Sequence, residues 1–446
     1  MHPQTSSPAR RFSVEVVRTL RNAGYEALWA GGCVRDQLLG FVPKDYDVAT
    51  NALPDQIRQL FGYQRTLAIG AAFGVVTVLG PREAGHVEVA TFRCDGVYHD
   101  GRHPDSVTFS TAEHDAQRRD FTINGLFYDP LAEQVYDYVG GQEDIHRGVI
   151  RAIRDPRERF HEDKLRMLRA VRFAATFGFE IEAGTLAAIR ELAEEIVIVS
   201  AERIAAELRR MLTHERRTLA VRLLQECELL AAILPEAVAY DPHESHQEPT
   251  AATFRWDATL ALLDALVHPD FPTALAALLR AICHLPEGSS VREQTLRHMP
   301  VKEPSPADIA AFLCRRWKLS NEETDIVRWL VEHEGAIRVA TKIPWPRLQR
   351  ILVGPHVSQL LDYATAVERV FEGETKEAAY CRQKLQLPPD ELNPAPLLTG
   401  DDLKRIGLRP GPAFKQVLYA VRDAQLDKLI HTRDEAVALA QQLHVE

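Results

Sequence analysis

The sequence predicts an α+β chain, with a small mixed sheet and helices in its first third and helices alone thereafter. Three observations lead there. Period-two apolar alternation, as in "GVVTVLG" and "HVEVATFR", is confined to residues 1–145. From about residue 146 the strand signals stop and helical spacing takes over. Three breaker-rich stretches, "YDPHESHQEPT", "PEGSSVREQ" with "VKEPSPAD", and "LPPDELNPAPL", then interrupt the helices near 240, 295 and 390.

Taken in order, "MHPQTSSPARRFSVEVV" lacks an apolar signal core and reads as a tail entering a helix, "RFSVEVVRTLRNAGY", that stops at Gly24. "EALWAGG" is a short strand ending on a glycine turn, "CVRDQLLG" a short helix, "DYDVAT" a second strand and "PDQIRQLF" another helix. The two alternating strands follow, and "DGVYHDGRHPDS" is a polar loop. Beyond residue 146, "FHEDKLRMLRAVRFAATFGF", "AGTLAAIRELAEEI" and "SAERIAAELRRMLTH" read as successive helices, with Ser200 capping the last. No internal repeat is visible.

The length of 446 residues exceeds one ordinary domain, and 46% hydrophobic with 26% charged residues is a globular profile. No run of eighteen apolar residues appears, so no membrane partner is expected. Six scattered cysteines without a C-x-x-C pair argue against disulfides and structural zinc, and fit a cytoplasmic protein. A net charge of −10 argues against bulk attraction to nucleic acid. From Arg147 to Phe173, however, basic residues clearly outnumber acidic ones. That local excess fits either an anion site or a solvated helix face.

Side chains two apart on a strand share a face, so Asp45 and Asp47 present paired carboxylates while Tyr46 turns inward. By itself this spacing suits a solvated strand edge as well as a magnesium site completed by substrate phosphates. Gly31 and Gly32, between a strand and a helix, are either a tight corner or a place where backbone N–H groups meet phosphate. Cradle and carboxylates together describe a nucleotidyl-transfer site. Neither a P-loop nor a G-x-G-x-x-G motif is present.

The run Gly31-Gly32-x-Val34-Arg35-Asp36-x-Leu38-Leu39-Gly40, followed by Asp45-x-Asp47, resembles the class II tRNA nucleotidyltransferase (CCA-adding enzyme) and bacterial poly(A) polymerase family of the DNA polymerase β superfamily. "RRDFTING" at 118–125 resembles the family's R-R-D-F-T-x-N-A, with Gly125 in place of Ala. "DYVGGQEDI", "EDKLRMLRAVRF" and "SAERIAAEL" extend the likeness over about residues 28–210. The resemblance implies a polymerase β-like nucleotidyltransferase head (1–145), a base-recognising helical neck (146–215), a helical body (216–390) and a helical tail (391–446) meeting tRNA.

It also implies roles. Asp45 and Asp47 hold Mg2+, and Glu88 is the third carboxylate, acting on the primer hydroxyl, or else an ordinary strand glutamate. Gly31, Gly32 and Arg35 meet the triphosphate; a surface ion pair of Arg35 with Asp36 is the alternative. Arg119 and Asp120 contact phosphate and ribose, or else form a structural pair. Asp163 and Arg166, three apart on one helix face, serve as a protein template for the base. An ionised Asp only accepts and an Arg only donates, which matches C and A and opposes U and G. An ordinary Glu162–Arg166 ion pair is the competing reading. Arg169 and Arg172 continue the basic face toward phosphates or hold the helix in place.

The implied reaction is Mg2+-dependent addition of CMP from CTP and AMP from ATP to the tRNA 3′ end. A poly(A) polymerase, an enzyme adding only A, and a catalytically inactive RNA-binding protein are the alternatives. The loop at 95–107 resembles the element that switches such enzymes from C to A, and "IGAAFGVVTV" leans toward the tRNA-repair branch. Residues 254–286 faintly resemble an HD phosphohydrolase module, but Arg280-Ala281 and Asp257 stand where its His-Asp and His ligands belong. His243 and His246 read as loop histidines, and Lys404, Arg405, Arg409 and Lys415 as tail residues facing either tRNA or solvent. No obligate protein partner is evident.

Overall fold

Ser7 starts the first helix: its hydroxyl accepts from the Arg10 N–H, and Pro8 occupies the first turn, where no amide is needed. The computed structural model describes residues 7–70, 73–96, 107–238, 251–285, 303–406 and 412–445, with 293, 296, 297, 299 and 301. The chain divides into two units, Met1–Val238 and Ala239–Glu446.

In the first unit, α1 (Pro8–Asn22) leads to β1 (Ala27–Ala30), α2 (Gly32–Leu38), β2 (Asp47–Thr50), α3 (Pro54–Phe61), β3 (Thr66–Gly70), β4 (Val75–Leu79) and β5 (His86–Thr91). Then come β6 (Arg93–Asp95), β7 (Val107–Phe109), α4 (Ala112–Gln117), β8 (Leu126–Asp129), β9 (Gln134–Asp137) and α5 (Gly141–Arg147). One sheet runs β3-β4-β5-β2-β1-β8-β9, with β2 and β5 parallel and its other pairs antiparallel. It is larger than the alternation predicts. β8 is buried along its whole length, so it carries no period-two signal to read.

Both faces of β1 are covered, and odd and even positions serve different cores. Ala27 and Trp29 pack with Phe12, Val16, Val17 and Leu20 of α1. Leu28 and Ala30 pack with Phe92, Ala112, Ala116 and Phe127 on the opposite side. Burial of each large apolar side chain of α1 contributes on the order of 2 kcal/mol.

The helical stretch after residue 146 departs from expectation twice. A parallel pair, β10 (Val149–Ile150) with β11 (Glu180–Ile181), lies inside it. It forms because Gly178, in the left-handed conformation, ends the preceding helix and turns the chain back beside Val149. Second, "FHEDKLRMLRAVRFAATFGF" is two helices, α6 (Pro156–Glu162) and α7 (Leu165–Phe177). Asp163 between them is extended, at φ −152° and ψ 105°, and its carboxylate accepts the Leu165 N–H at 3.1 Å. This local side-chain bond competes with helix continuation. Asp163 and Arg166 therefore do not share one helix face. α8 (Ala183–Leu192), α9 (Ala201–Leu212) and three further helices complete the unit.

The described residues of the second unit form helices joined by loops, with no strand among them. Its helices include Ala251–Ala265, Phe271–Cys283, Pro306–Arg316, Asn321–Ile337 and Val357–Phe371. Arg280 reaches Glu334 at 3.5 Å and lies over the Phe371 ring, so it works as a packing residue. Lys404 pairs with Asp401 and Arg405 with Asp402, while Lys415 lies over Tyr419. Arg409, His243, His246 and most of the 95–107 loop lie outside the described residues.

Candidate functional site

The carboxylate edge is built by strand register. β2 starts at Asp47, with Asp45 in a bend just before it; Tyr46 between them is buried, its ring centroid 4.7 Å from that of Trp29. The strand expected from Asp45 thus begins two residues later, yet the alternation holds, with both aspartates exposed. On the parallel neighbour β5, Glu88 is the register partner of Asp47. Adjacent strands are roughly 4.8 Å apart, so the two carboxyl groups stand side by side.

Protein crowds the Asp47 carboxyl although the residue's outer surface reaches water. Burial, reinforced by Glu88 and Asp45 and only partly offset by Arg119 and His86, pushes its pKa up to about 6. Among the described residues no Lys or Arg pairs with Asp45, Asp47 or Glu88. Nor do three His, Cys, Asp or Glu side chains there enclose an ion by themselves. Uncompensated hard oxygen donors at the mouth of a cleft fit a divalent cation whose remaining ligands are substrate phosphates.

Beside this edge lies a cleft of about 520 Å³, lined by Gly31, Gly32, Arg35, Asp47, Arg118, Arg119, Asp120, Asn124, Asp163, Leu165, Arg166, Arg169, Arg172, Phe173 and Arg203. Every predicted nucleotide-binding residue is among them; Asp45 and Glu88 lie outside the lining. The two glycines differ in purpose. Gly31 has φ +71°, and a Cβ there would stand 2.6 Å from Arg119 Nη1. Its N–H is spent on the Leu126 carbonyl at 3.0 Å, so it does not serve an anion as expected. Gly32 begins α2 and lines the cleft. Cys33, buried next to it, hydrogen-bonds the Asp47 carbonyl and ties α2 to β2.

The arginines are held by carboxylates from their rear. Arg118 and Arg119 both pair with buried Asp115, at 2.8 and 2.9 Å. Burial would raise the Asp115 pKa, but the two guanidinium groups outweigh it and hold it below the usual range. Asp120 accepts from Arg169 at 2.6 Å, from the Asn124 amide at 3.0 Å and from the Phe121 N–H at 2.8 Å. Its pKa too is held far down, Arg169 and Asn124 prevailing over burial. The expected Arg119–Asp120 pair does not form: Asp120 pairs with Arg169, and Arg119 with Asp115. Arg172 pairs with Glu207 at 2.5 Å.

Arg35 is buried, so its ion pair with Asp36 is not the surface pair expected. It pairs with Asp36 at 2.7 Å, donates to Asn124 at 2.5 Å, and lies over Phe173 and Phe177 while lining the cleft. Asp163 bonds Arg203 of α9 at 2.7 Å, and Arg166 bonds Glu162 at 2.6 Å and the Arg159 carbonyl at 2.9 Å. The Glu162–Arg166 pair exists, and Arg166 still lines the cleft beside Asp163. Sequence reasoning missed Arg118, Asn124, Phe173 and Arg203 as site residues. All four lie inside quoted motifs, which was the available signal.

Residues 27–151 match the family model described as Poly A polymerase head domain, and 178–240 the one described as Probable RNA and SrmB- binding site of polymerase A. The chain is 32% identical to a CCA-adding enzyme of Lacticaseibacillus paracasei, covering 94% of this chain and 93% of that one. It is 31% identical to that of Geobacillus kaustophilus, over 96% of each. The crystal structure of the Bacillus stearothermophilus CCA-adding enzyme in complex with CTP superposes with a TM-score of 0.71 at 27% identity, covering 100% of this chain and 99% of that one. Family models of this polymerase β-like type describe enzymes that typically use divalent metals. With near full-length relatives above 30% identity and the same α+β architecture, the chain belongs to the CCA-adding enzyme family.

Proposed function

We propose that this protein is a CCA tRNA nucleotidyltransferase, adding CMP from CTP and AMP from ATP to the 3′ end of tRNA in the cytoplasm. The observation that carries the reading is the juxtaposition of Asp47 and Glu88 in strand register with an arginine-lined cleft, in a chain of this family. We assign residues 1–145 as the catalytic head, 146–215 as the neck, 216–390 as the body and 391–446 as the tail.

In this assignment the ribose 3′-OH of tRNA attacks the α-phosphorus of the nucleotide, and pyrophosphate leaves. Glu88 orients the attacking hydroxyl and accepts its proton. Arg35, Arg118 and Arg119 neutralise the triphosphate, held in place by Asp36, Asn124 and Asp115. Asp45 and Asp47 hold Mg2+, which when bound lowers the cost of charge on the attacking and leaving oxygens. Asp163 accepts from the exocyclic amino group of C or A, and Arg166 donates to the adjacent ring nitrogen. Each keeps capacity for this beside its protein partner. A carboxylate has about four acceptor sites and a guanidinium five N–H groups.

The test is incorporation of labelled CMP and AMP into tRNA lacking CCA, lacking CA and lacking only A, with magnesium and with chelator. Wild type should complete all three, and Asp47→Ala none. Failure to add C to the shortest tRNA overturns the reading.

A further inference from the structure

Asn124 sits where no other side chain of similar size meets both of its neighbours. It is 7% exposed and lines the cleft. Its carbonyl oxygen accepts from Arg35 Nη1 at 2.5 Å, and its amide nitrogen donates to Asp120 Oδ1 at 3.0 Å. Arg35 can only donate and ionised Asp120 can only accept, so the amide orientation is dictated by its partners. Beyond Asp120 the chain of bonds continues to Arg169 of α7, through Nε at 2.9 Å and Nη2 at 2.6 Å. Arg35 and Arg169 both lie over the Phe173 ring, at 5.1 and 5.3 Å from its centroid, which closes the circuit.

The two ends of this circuit belong to different parts of the site. Arg35 is on α2, next to Gly32 and the β2 carboxylates. Arg169 is one turn from Arg166 on α7, the helix that follows Asp163. We propose that Asn124 is a positioning residue that locks the triphosphate side of the cleft, through Arg35, to the base-reading side, through Asp120 and Arg169, and thereby sets nucleotide selectivity. The inference rests on the nucleotidyltransferase reading above. A base is discriminated only if the triphosphate and the Asp163–Arg166 pair stand at a fixed separation, and a hydrogen-bonded circuit fixes it.

The test compares kcat and KM for CTP and UTP on tRNA lacking CCA, in wild type, Asn124→Leu and Asn124→Asp. Wild-type addition of C establishes the underlying reaction independently of any variant. A loss of folded protein lowers both nucleotides equally and leaves the CTP-to-UTP ratio of kcat/KM unchanged. Asn124→Leu breaks the link between Arg35 and Asp120, leaving each only its remaining partners Asp36 and Arg169, and the ratio should fall by about tenfold or more. Should that variant not fold, Asn124→Asp keeps size and the acceptor for Arg35 but turns a second carboxylate on Asp120. The charges facing it are then Asp120, Arg35, Arg119 and Arg169. Its ratio should be depressed at alkaline pH and recover under mild acid, where a shared proton restores the missing donor. A wild-type ratio in Asn124→Leu, or in Asn124→Asp at alkaline pH, overturns the proposal.

Discussion

At the scale of single residues, the cleft shows charges put to two uses. Among the described residues no cation pairs with Asp47 or Glu88, and burial, with Glu88 alongside, raises the pKa of Asp47. Asp115, Asp120 and Glu207 are saturated with arginine and hold those arginines toward the cleft. Asp120 gives a prediction with a definite sign. Its folded pKa lies below the ordinary 3.8, so the ionised form contributes stability that is fully present above about that pH and is lost as pH falls through the folded value. Asp120→Asn should destabilise the protein by about 2 kcal/mol at neutral pH, a breaking cost reduced because Arg169 is partly wetted. In urea unfolding across a pH series the difference should shrink in strong acid. A pH-independent loss would assign the effect to packing instead of charge. The same residues show what the sequence makes legible. Asp45 and Asp47 announce themselves by spacing, because their face is set by adjacent chain. Asn124 and Arg203 do not, since their partners lie 89 and 40 residues away in the chain, and only the fold brings them together.

Elements carry the next level, and the turn "DYVGGQED" shows why two like residues differ. The Asp137 carboxylate accepts from the N–H groups of Val139, Gly140, Gly141 and Gln142, wrapping the chain into α5. Asp144 on α5 then accepts the Thr122 hydroxyl at 2.7 Å, pinning this helix beneath the "RRDFTING" segment. Gly140 has φ +79° and open space where a Cβ would be; Gly141 has ordinary φ, but its Cβ would fall 2.2 Å from the Thr122 carbonyl oxygen. Gly140→Ala should therefore cost about 1 kcal/mol, the penalty of a left-handed alanine. Gly141→Ala should cost about 3 kcal/mol or more, because rigid backbone must move. Chemical denaturation of the two variants checks the order, and equal costs would contradict the packing argument. Motif spacing revealed the turn but not this asymmetry. Likewise, periodicity carried "EDKLRML" straight through Asp163, because a side chain capping its own neighbour leaves no trace in apolar spacing. The buried β8 and the two-residue β10 and β11 were equally silent, being too uniform or too short to show alternation.

For the molecule as a whole, the division after residue 238 separates the candidate site from the remaining helices. Among the described residues no helix is long and apolar enough to cross a membrane, and the described cysteines are free thiols. The lining of the arginine-rich cleft runs from Gly31 to Arg203, and the carboxylate edge from Asp45 to Glu88, all inside the first unit. That unit has its own sheet, covered on both faces, and its own helices after residue 146. A chain ending after Val238 should therefore fold and bind CTP with magnesium. A ligand that binds only the folded form stabilises it by about 2.7 kcal/mol at a hundred times its Kd. For a domain of this size that is a rise in Tm of roughly 5–10 °C. The same chain should add C to tRNA far more slowly than the full protein, since residues assigned to the body and tail are missing while the chemistry is intact. Thermal melts with and without CTP, run beside the full-length chain, decide the matter. A CTP-dependent shift in the full chain that disappears on truncation would mean that the second unit completes the nucleotide site.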